Sequence, residues 1–459
     1  MPLPLAIDRF RHRLADDRSD AAARAGLVRW LEANAPVQAA LAHAHAAAAA
    51  LPEGSPARVS ANAEVADRHT KLVEHVRRSL GLPEDAELSQ VGGLLVEGYF
   101  SDVSETRMAH VLSLLEAVPT ISELHLSSLP RLSDSGLSAL ADAPQIRELW
   151  AGFNTQLSGR FVEALAAADH PLRSLHLAHC ELELAVVPAA LSLRLLEELL
   201  LVGNRAACAD LSGLRDNSSL RLLGLQVDGM GAGELSVLAG LPLVTLDLSG
   251  AGSIGEAGMA LLGRMPALRN LLLRGARLTA AGVASLGEKL SSVWLSSSPM
   301  DAATAAGFAR HQGLKKLRIQ YDAALGSGWM AAFAGHPALE ELDLSLCAGL
   351  QDRDGVHLGM IPNLKEVGLS HCGAMGDQTV RALAKVPTLK RLDLSGTAIT
   401  AAVIPLLATM PALQHLMLNS CALKPTDLAP LASSPSLKYL FLSTDLAAGC
   451  PTMPAKVSA

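Results

Sequence analysis

Between about residues 118 and 445, apolar and polar positions alternate in one figure that keeps returning. Three aliphatic residues stand three and then two apart, as in LKRLDLSGTAIT (389–400). The same figure appears as LRSLHLAHCELEL, LVTLDLSGAGSI, LEELDLSLCAGL and LKEVGLSHCGAM. Its middle leucine falls at Leu124, Leu149, Leu175, Leu199, Leu223, Leu246, Leu271, Val293, Leu317, Leu342, Val367, Leu392, Leu416 and Leu440, in steps of 22 to 26 residues. A weaker copy, GLLVEGYF at 93–100, precedes these fourteen. Side chains of an extended strand alternate between faces. The figure therefore predicts a short strand in which Leu392 and Leu394 point into a core and Asp393 points out.

Each strand leads into an equally regular turn. A small or hydrogen-bonding residue comes next: Cys180, Asn204, Cys347, Cys372, Thr397 or Cys421. It turns the chain inward, where little bulk fits and turning backbone groups need partners. An apolar residue such as Leu182, Leu278 or Ile399 succeeds it, then a polar turn and a short helical pattern. SDSGLSALADAP at 133–144 shows that pattern, with Ser133 or Asp134 able to cap and Leu137 and Leu140 facing inward. Pro144 closes it, and Pro119, Pro171, Pro242, Pro266, Pro337, Pro362, Pro387, Pro411 and Pro435 do the same elsewhere.

The pattern LxxLxLxx(N/C)xL resembles the leucine-rich repeat family over about 330 of the 459 residues. The resemblance implies an α/β fold: a right-handed solenoid, a horseshoe or arc with a parallel sheet on its concave face and short convex helices. Cysteine at the turn, with G[LVM]xxL on the helical side, is most similar to the cysteine-containing variety. That variety includes F-box substrate receptors and bacterial GALA-type effectors. GLSALA at 136–141 approaches the GALA signature, whereas GMALLG (258–263) and GVASLG (282–287) depart from it. The expected organisation is a helical N-terminal region over 1–90, a solenoid over 91–445 with about fourteen repeats, and a loose tail over 446–459. In the first region, 20–33 and 63–80 carry helical spacing, and PEGSPAR at 52–58 reads as a turn or linker. This region caps the first coil or, if LPLAIDRFRHRL at 3–14 begins an F-box-like segment, docks a ligase core.

Composition narrows the function. Half the residues are hydrophobic but only 3% aromatic, so the core is expected to be aliphatic. A net charge of −7 argues against a nucleic-acid partner, which needs a basic surface. No apolar run reaches the ~18 residues needed to cross a bilayer, and the first residues lack the pattern of a secretory leader. Six cysteines in this length suit a reducing cytoplasm better than a disulfide framework. The alternative is delivery into a host cell, and the alanine-rich composition suggests a bacterial source.

No nucleophile elbow, phosphate-binding glycine loop or HExxH is present, no CxxC pair supports zinc, and no metal or cofactor is expected. The turn cysteines read as inert packing groups. Neither CAD at 208–210 nor His43 with His45 makes a catalytic or metal constellation.

The informative positions are those facing the concavity. The candidate partner-binding residues are His125, Trp150, Phe153, His176, His179, Trp294, Arg318, Tyr321, Asp343, His371, Asp393, Met417 and Phe441. Aromatic residues and arginine on an open wall are the usual anchors of an interface. Asp343, Asp393 and Glu341 form an acidic zone suited to a basic partner. The expected molecule is a monomeric, non-enzymatic protein-binding scaffold; a ubiquitin-ligase substrate receptor is the alternative.

Overall fold

The computed structural model describes residues 122–448, with short breaks at 130, 184, 205–210, 216, 227–231, 251–253, 323–324 and 326–327. It also describes positions 57–58, 61, 63–64, 97–99, 108, 112, 115 and 456–458. The N-terminal helical segments, Cys208, Cys450, His43 and His45 lie wholly or almost wholly outside these residues. The chain divides into two compact units, residues 1–213 and 214–459. Each is a leucine-rich-repeat type of stack, in which every coil carries one parallel strand and most carry a short helix or 3-10 turn.

In the first unit the strands are β1 (Glu97–Tyr99), β2 (Glu123–His125), β3 (Glu148–Trp150), β4 (Ser174–His176) and β5 (Glu198–Leu200). They pair parallel in chain order, with Gly98, Leu124, Leu149, Leu175 and Leu199 in one register. The second unit holds β6 (Leu222–Gly224), β7 (Thr245–Asp247), β8 (Asn270–Arg274), β9 (Ser292–Ser296), β10 (Lys316–Gln320), β11 (Glu341–Asp343), β12 (Glu366–Gly368), β13 (Arg391–Asp393), β14 (His415–Met417), β15 (Tyr439–Phe441) and β16 (Lys456–Ser458). They too are parallel and in order, with Leu223 through Leu440 and Val457 aligned. Every core leucine or valine read from the sequence is thus the second residue of a strand, and all fourteen are buried. Each such side chain contributes about 1.5–3 kcal/mol, which a single coil could not turn into stability but a stack can.

The turn position works as expected, and the structure adds how. Thr397 Oγ1 donates to Leu394 O of its own coil, whereas the cysteines and Asn204 bond a carbonyl of the preceding coil. Cys180 Sγ reaches Ala151 O (3.3 Å), Cys347 reaches Ile319 O (3.1 Å), Cys372 reaches Leu344 O (3.0 Å) and Cys421 reaches Leu394 O (3.2 Å). Asn204 Nδ2 donates to Leu177 O at 2.6 Å while its Oδ1 accepts from the Cys180 N–H, so an asparagine clamps both chain directions. All four described cysteines are free.

One residue earlier, the backbone is left-handed in coil after coil. Ser128, Phe153, His179, Ser297, Tyr321, Leu346, His371 and Ser420 have φ between 49° and 65°, and Gly203, Gly250, Gly275 and Gly396 fill the same position. The cause is the ladder. Here the chain bends toward the core, yet its N–H still donates to the next coil, as Phe153 N to Ala178 O (2.7 Å) and Tyr321 N to Ser345 O (3.2 Å). Only a left-handed residue meets both demands, and glycine meets them at least cost.

A second tie joins coils on the helical side. Ser133 caps its own helix (Asp134–Ser138) by accepting from Gly136 N. Asp134 reaches the following coil instead, accepting from Ser158 N, Gly159 N and Phe161 N at the start of the helix Arg160–Ala167. Asp352 serves the helix Asp377–Leu383 through Gly376 N, Gln378 N and Thr379 N, and Asp377 serves Thr400. A carboxylate at a helix N-terminus satisfies donors that have no partner within the helix.

The core departs from the aliphatic expectation on its helical side. Phe161, Phe308, Trp329 and Phe333 are among the largest fully buried side chains. No described helix is long and apolar enough to cross a membrane.

Candidate partner-binding face

The third residue of each strand points away from the core leucines, so successive coils present one column of side chains. In the first unit that column stacks rings. His125 lies on Trp150 with centroids 5.3 Å apart, and Trp150 lies on His176 at 3.7 Å. His176 is only 7% exposed, and its Nε2 stands 3.5 Å from Glu198 Oε2. Glu198 also accepts from Ser174 Oγ at 2.9 Å. The bond from His176, reinforced by Ser174 against the effect of burial, holds the Glu198 carboxyl below its usual range. Glu148, from the first position of β3, is pushed the other way by burial and by the carboxylates of Glu123 and Glu198. Phe153 and His179, both left-handed, make a second stack at 4.7 Å along the margin of the strands. The His179 ring lies where a Cβ on Gly203 would go.

The second unit holds the other candidates in two groups. Arg318 sits 5.4 Å above the Trp294 ring and bonds Glu341, which also pairs with Lys316 at 3.0 Å. Burial raises the Glu341 carboxyl, but the bonds from Lys316 and Arg318 outweigh it and leave it lowered. Gln320 ties the group together, accepting from Trp294 Nε1 (3.1 Å) and donating to Asp343 (2.6 Å). Asp343 and Asp393 each accept from the backbone two residues on, at Ser345 and Ser395. Of the acidic zone expected here, Glu341 is therefore met by the chain's own cations. Among the described residues Tyr321 makes no ring contact, and it is 59% exposed; Phe153 in the first unit is 58% exposed. His371 is exposed with its ring against Gly396. Met417 and Phe441 are in register on β14 and β15, half-buried, beside the His415–Tyr439 stack at 4.7 Å.

The structure brings together His125, Trp150 and His176, then Phe153 with His179, then Trp294, Arg318 and Asp343. His371, Asp393 and the Met417–Phe441 pair stand apart from these. Sequence reading missed the glutamates at the first strand position, Glu123, Glu148 and Glu198. Their spacing, one residue before the core leucine, was visible as a signal. It also missed the left-handed position, which glycine at 203, 250, 275 and 396 could have disclosed.

Reactive chemistry has little to work with on this face. Burial pushes Cys180 and Cys372 up to about 11 and Cys347 up to about 12, so their thiolates are scarce at neutral pH. Among the described residues no three His, Cys, Asp or Glu side chains gather to hold a metal ion.

No protein-family model and no curated protein matches the chain. Solved leucine-rich repeat structures do resemble it. One belongs to the yeast Rad7–Elc1 complex, with 18% identity, a TM-score of 0.47, and 87% of this chain and 94% of that one covered. Another belongs to the mouse RP105/MD-1 complex, with 16% identity, a TM-score of 0.49, and coverage of 75% and 68%. A third is the TLR13–ssRNA13 complex, with 20% identity, a TM-score of 0.43, and coverage of 74% and 54%. Identities this low bear on the fold alone.

Proposed function

We propose that the protein is a non-enzymatic scaffold that binds a protein partner on the open sheet face. One observation carries the reading. Phe153 and Tyr321 hold large rings more than half exposed on left-handed backbone, where glycine would serve folding better. Strain of order 1 kcal/mol at each, with nothing gained in the core, suits anchors kept for a partner. Trp150 in the first unit and Trp294 in the second, both half-buried, each add to the sheet face of their own unit. The net charge of −7 favours a protein over a nucleic acid. Four free thiols, three of them buried, suit a reducing compartment, so we place the protein in a cytoplasm, its own or a host's.

The test replaces Phe153, Tyr321, Trp150 and Trp294 singly with a photo-crosslinking phenylalanine analogue in the full chain. Adducts with a discrete protein from these positions, and none from exposed positions on the helical side such as Arg160, are expected. Equal or no crosslinking from both sides refutes the reading. Cysteine at the turn and GLSALA at 136–141 favour the cysteine-containing, substrate-receptor variety as a narrower form of it. Co-purification of the full chain with an Skp1-like adaptor supports that form, and its absence removes it.

A further inference from the structure

The two units treat the same strand positions differently. In the second unit, the glutamates leading their strands are neutralised from within. Glu341 pairs with Lys316 and Arg318, and Glu366 pairs with Arg391 at 3.5 Å. In the first unit, β3 and β5 lead with Glu148 and Glu198, and no lysine or arginine stands at the first, third or following sheet-facing positions of β3, β4 and β5. Of the described guanidinium groups just before these strands, Arg147 donates to the carbonyls of Pro144 and Ile146, and Arg173 pairs with Glu197.

The register makes the contrast sharper. Trp294, Arg318 of the next strand and Glu341 of the strand after form a tryptophan–cation–carboxylate set. The same three places in the first unit hold Trp150, His176 and Glu198. Where the second unit has a guanidinium, the first has an imidazole. That imidazole is more than nine-tenths buried, and its Nδ1 has no hydrogen-bond partner. Trp150 Nε1 likewise lacks a well-formed bond beside Glu148. At these three places the first unit thus keeps the aromatic wall and the carboxylate but holds no guanidinium.

We infer that the sheet face of the first unit, at Glu148, Glu198, Trp150 and His176, receives an arginine-containing segment of a partner protein, whose guanidinium meets these carboxylates from the open side and supplies the charge that Arg318 supplies in the second unit. This deepens the proposed function and rests on the sheet face being where a partner docks. Guanidinium matches the site better than ammonium, because its plane stacks along rings while its fork meets a carboxylate. The flanking Phe153–His179 stack offers the neighbouring residues of the segment an apolar margin.

The experiment uses the full chain and a fluorescein-labelled Arg-Gly repeat peptide, with citrulline replacing arginine in the control. Saturable binding that weakens with salt is expected for the arginine peptide only. Glu148→Gln with Glu198→Gln should weaken it about tenfold or more. His176→Arg should abolish it by supplying the cation from within, as Arg318 does. Glu341→Gln, which perturbs only the self-neutralised set, should leave affinity within about twofold. Absence of saturable binding, equal binding of the citrulline peptide, or indifference to both Glu148/Glu198 and His176 variants overturns the inference. Crosslinking at Phe153 separates the two readings. Protein adducts there without arginine-peptide binding sink the arginine assignment alone, whereas no adducts from any sheet-face position sink the docking surface itself.

Discussion

Tyr321 offers a test in which structure and habit predict opposite signs. At an ordinary exposed position, glycine is less stabilising than alanine by about 0.4–1 kcal/mol, because it adds freedom to the unfolded chain. Tyr321 has φ 56°, and its N–H is fixed to Ser345 O at 3.2 Å, so any replacement must keep the left-handed turn. An L-residue there costs about 1–2 kcal/mol that glycine does not. Subtracting the glycine entropy leaves Tyr321→Gly more stable than Tyr321→Ala by about 0.8 kcal/mol at the middle of a range of about 0–1.6. Burial contributes little, since the ring is mostly exposed and has no stacking partner among the described residues. Urea unfolding of the full chain measures the difference through the midpoint, provided the slopes agree. Ser127, exposed on the same margin but without a positive φ, is the control, and there Ala should exceed Gly. If Ala exceeded Gly at 321, as it should at Ser127, the left-handed turn and the strain argument for an exposed anchor would both fall. Crosslinking adds the functional half: Tyr321→Gly should fold at least as well as wild type yet lose capture of the partner.

Three more outcomes come from the ties between coils and from buried groups. Asp352→Ala should cost about 2–3 kcal/mol, because Gly376, Gln378 and Thr379 lose their acceptor together, and Asp352→Asn should cost less; denaturant midpoints decide. Burial raises the Asp352 carboxyl, but those bonds prevail and hold it low, so its stabilisation is present above its ordinary value of 3.8 and lost as pH falls below that. His170, His311 and His336 are pushed below 6.5 by burial, so each is neutral in the fold. Their stabilisation is complete above pH 6.5 and declines as pH falls through the lower folded values. Unfolding midpoints at successive pH values should show that decline, and imidazole resonances titrating at or above 6.5 would contradict it. Cys180, Cys347 and Cys372 should react with iodoacetamide at least about a hundredfold more slowly in the native protein than in urea, as read by mass spectrometry of each peptide.

How much of the fold and of the sheet face was legible in the sequence depends on which interaction fixes each position. The core leucines were, because a strand must bury every second residue and the error of one place would expose them all; hence the register from Leu124 to Leu440. The turn cysteines were, because their small size and inward place come from the same geometry. Contacts between coils were not. Arg318 meets Glu341 across 23 residues and Asp134 caps a helix 25 residues on, and no local pattern pairs them before the stacking register is known. The buried rings Phe308, Trp329 and Phe333 escaped because their helical segments are too short to carry a period. Phe153 and Tyr321 were placed on the open face as residues just after the buried leucines, but that place in the pattern says nothing of φ, so their strain became visible only in the backbone.

That strain separates what folding requires from what it merely permits. A coil needs an aliphatic residue at the second strand position, a small donor at the turn and a left-handed residue before it. It places no demand on the first and third strand positions, and it prefers glycine ahead of the turn. Ser128, Ser297 and Ser420 depart from glycine by a small polar group that exposed backbone tolerates. Phe153, His179, Tyr321 and His371 depart by rings. Phe153 and His179 stack on each other and His371 lies over a glycine, while Tyr321 does neither. Packing therefore explains His179 and His371, and part of Phe153, but not Tyr321. The residue that the fold explains least is the one whose loss should be felt by the partner and not by the fold, and that asymmetry makes it the sharpest probe of the sheet face.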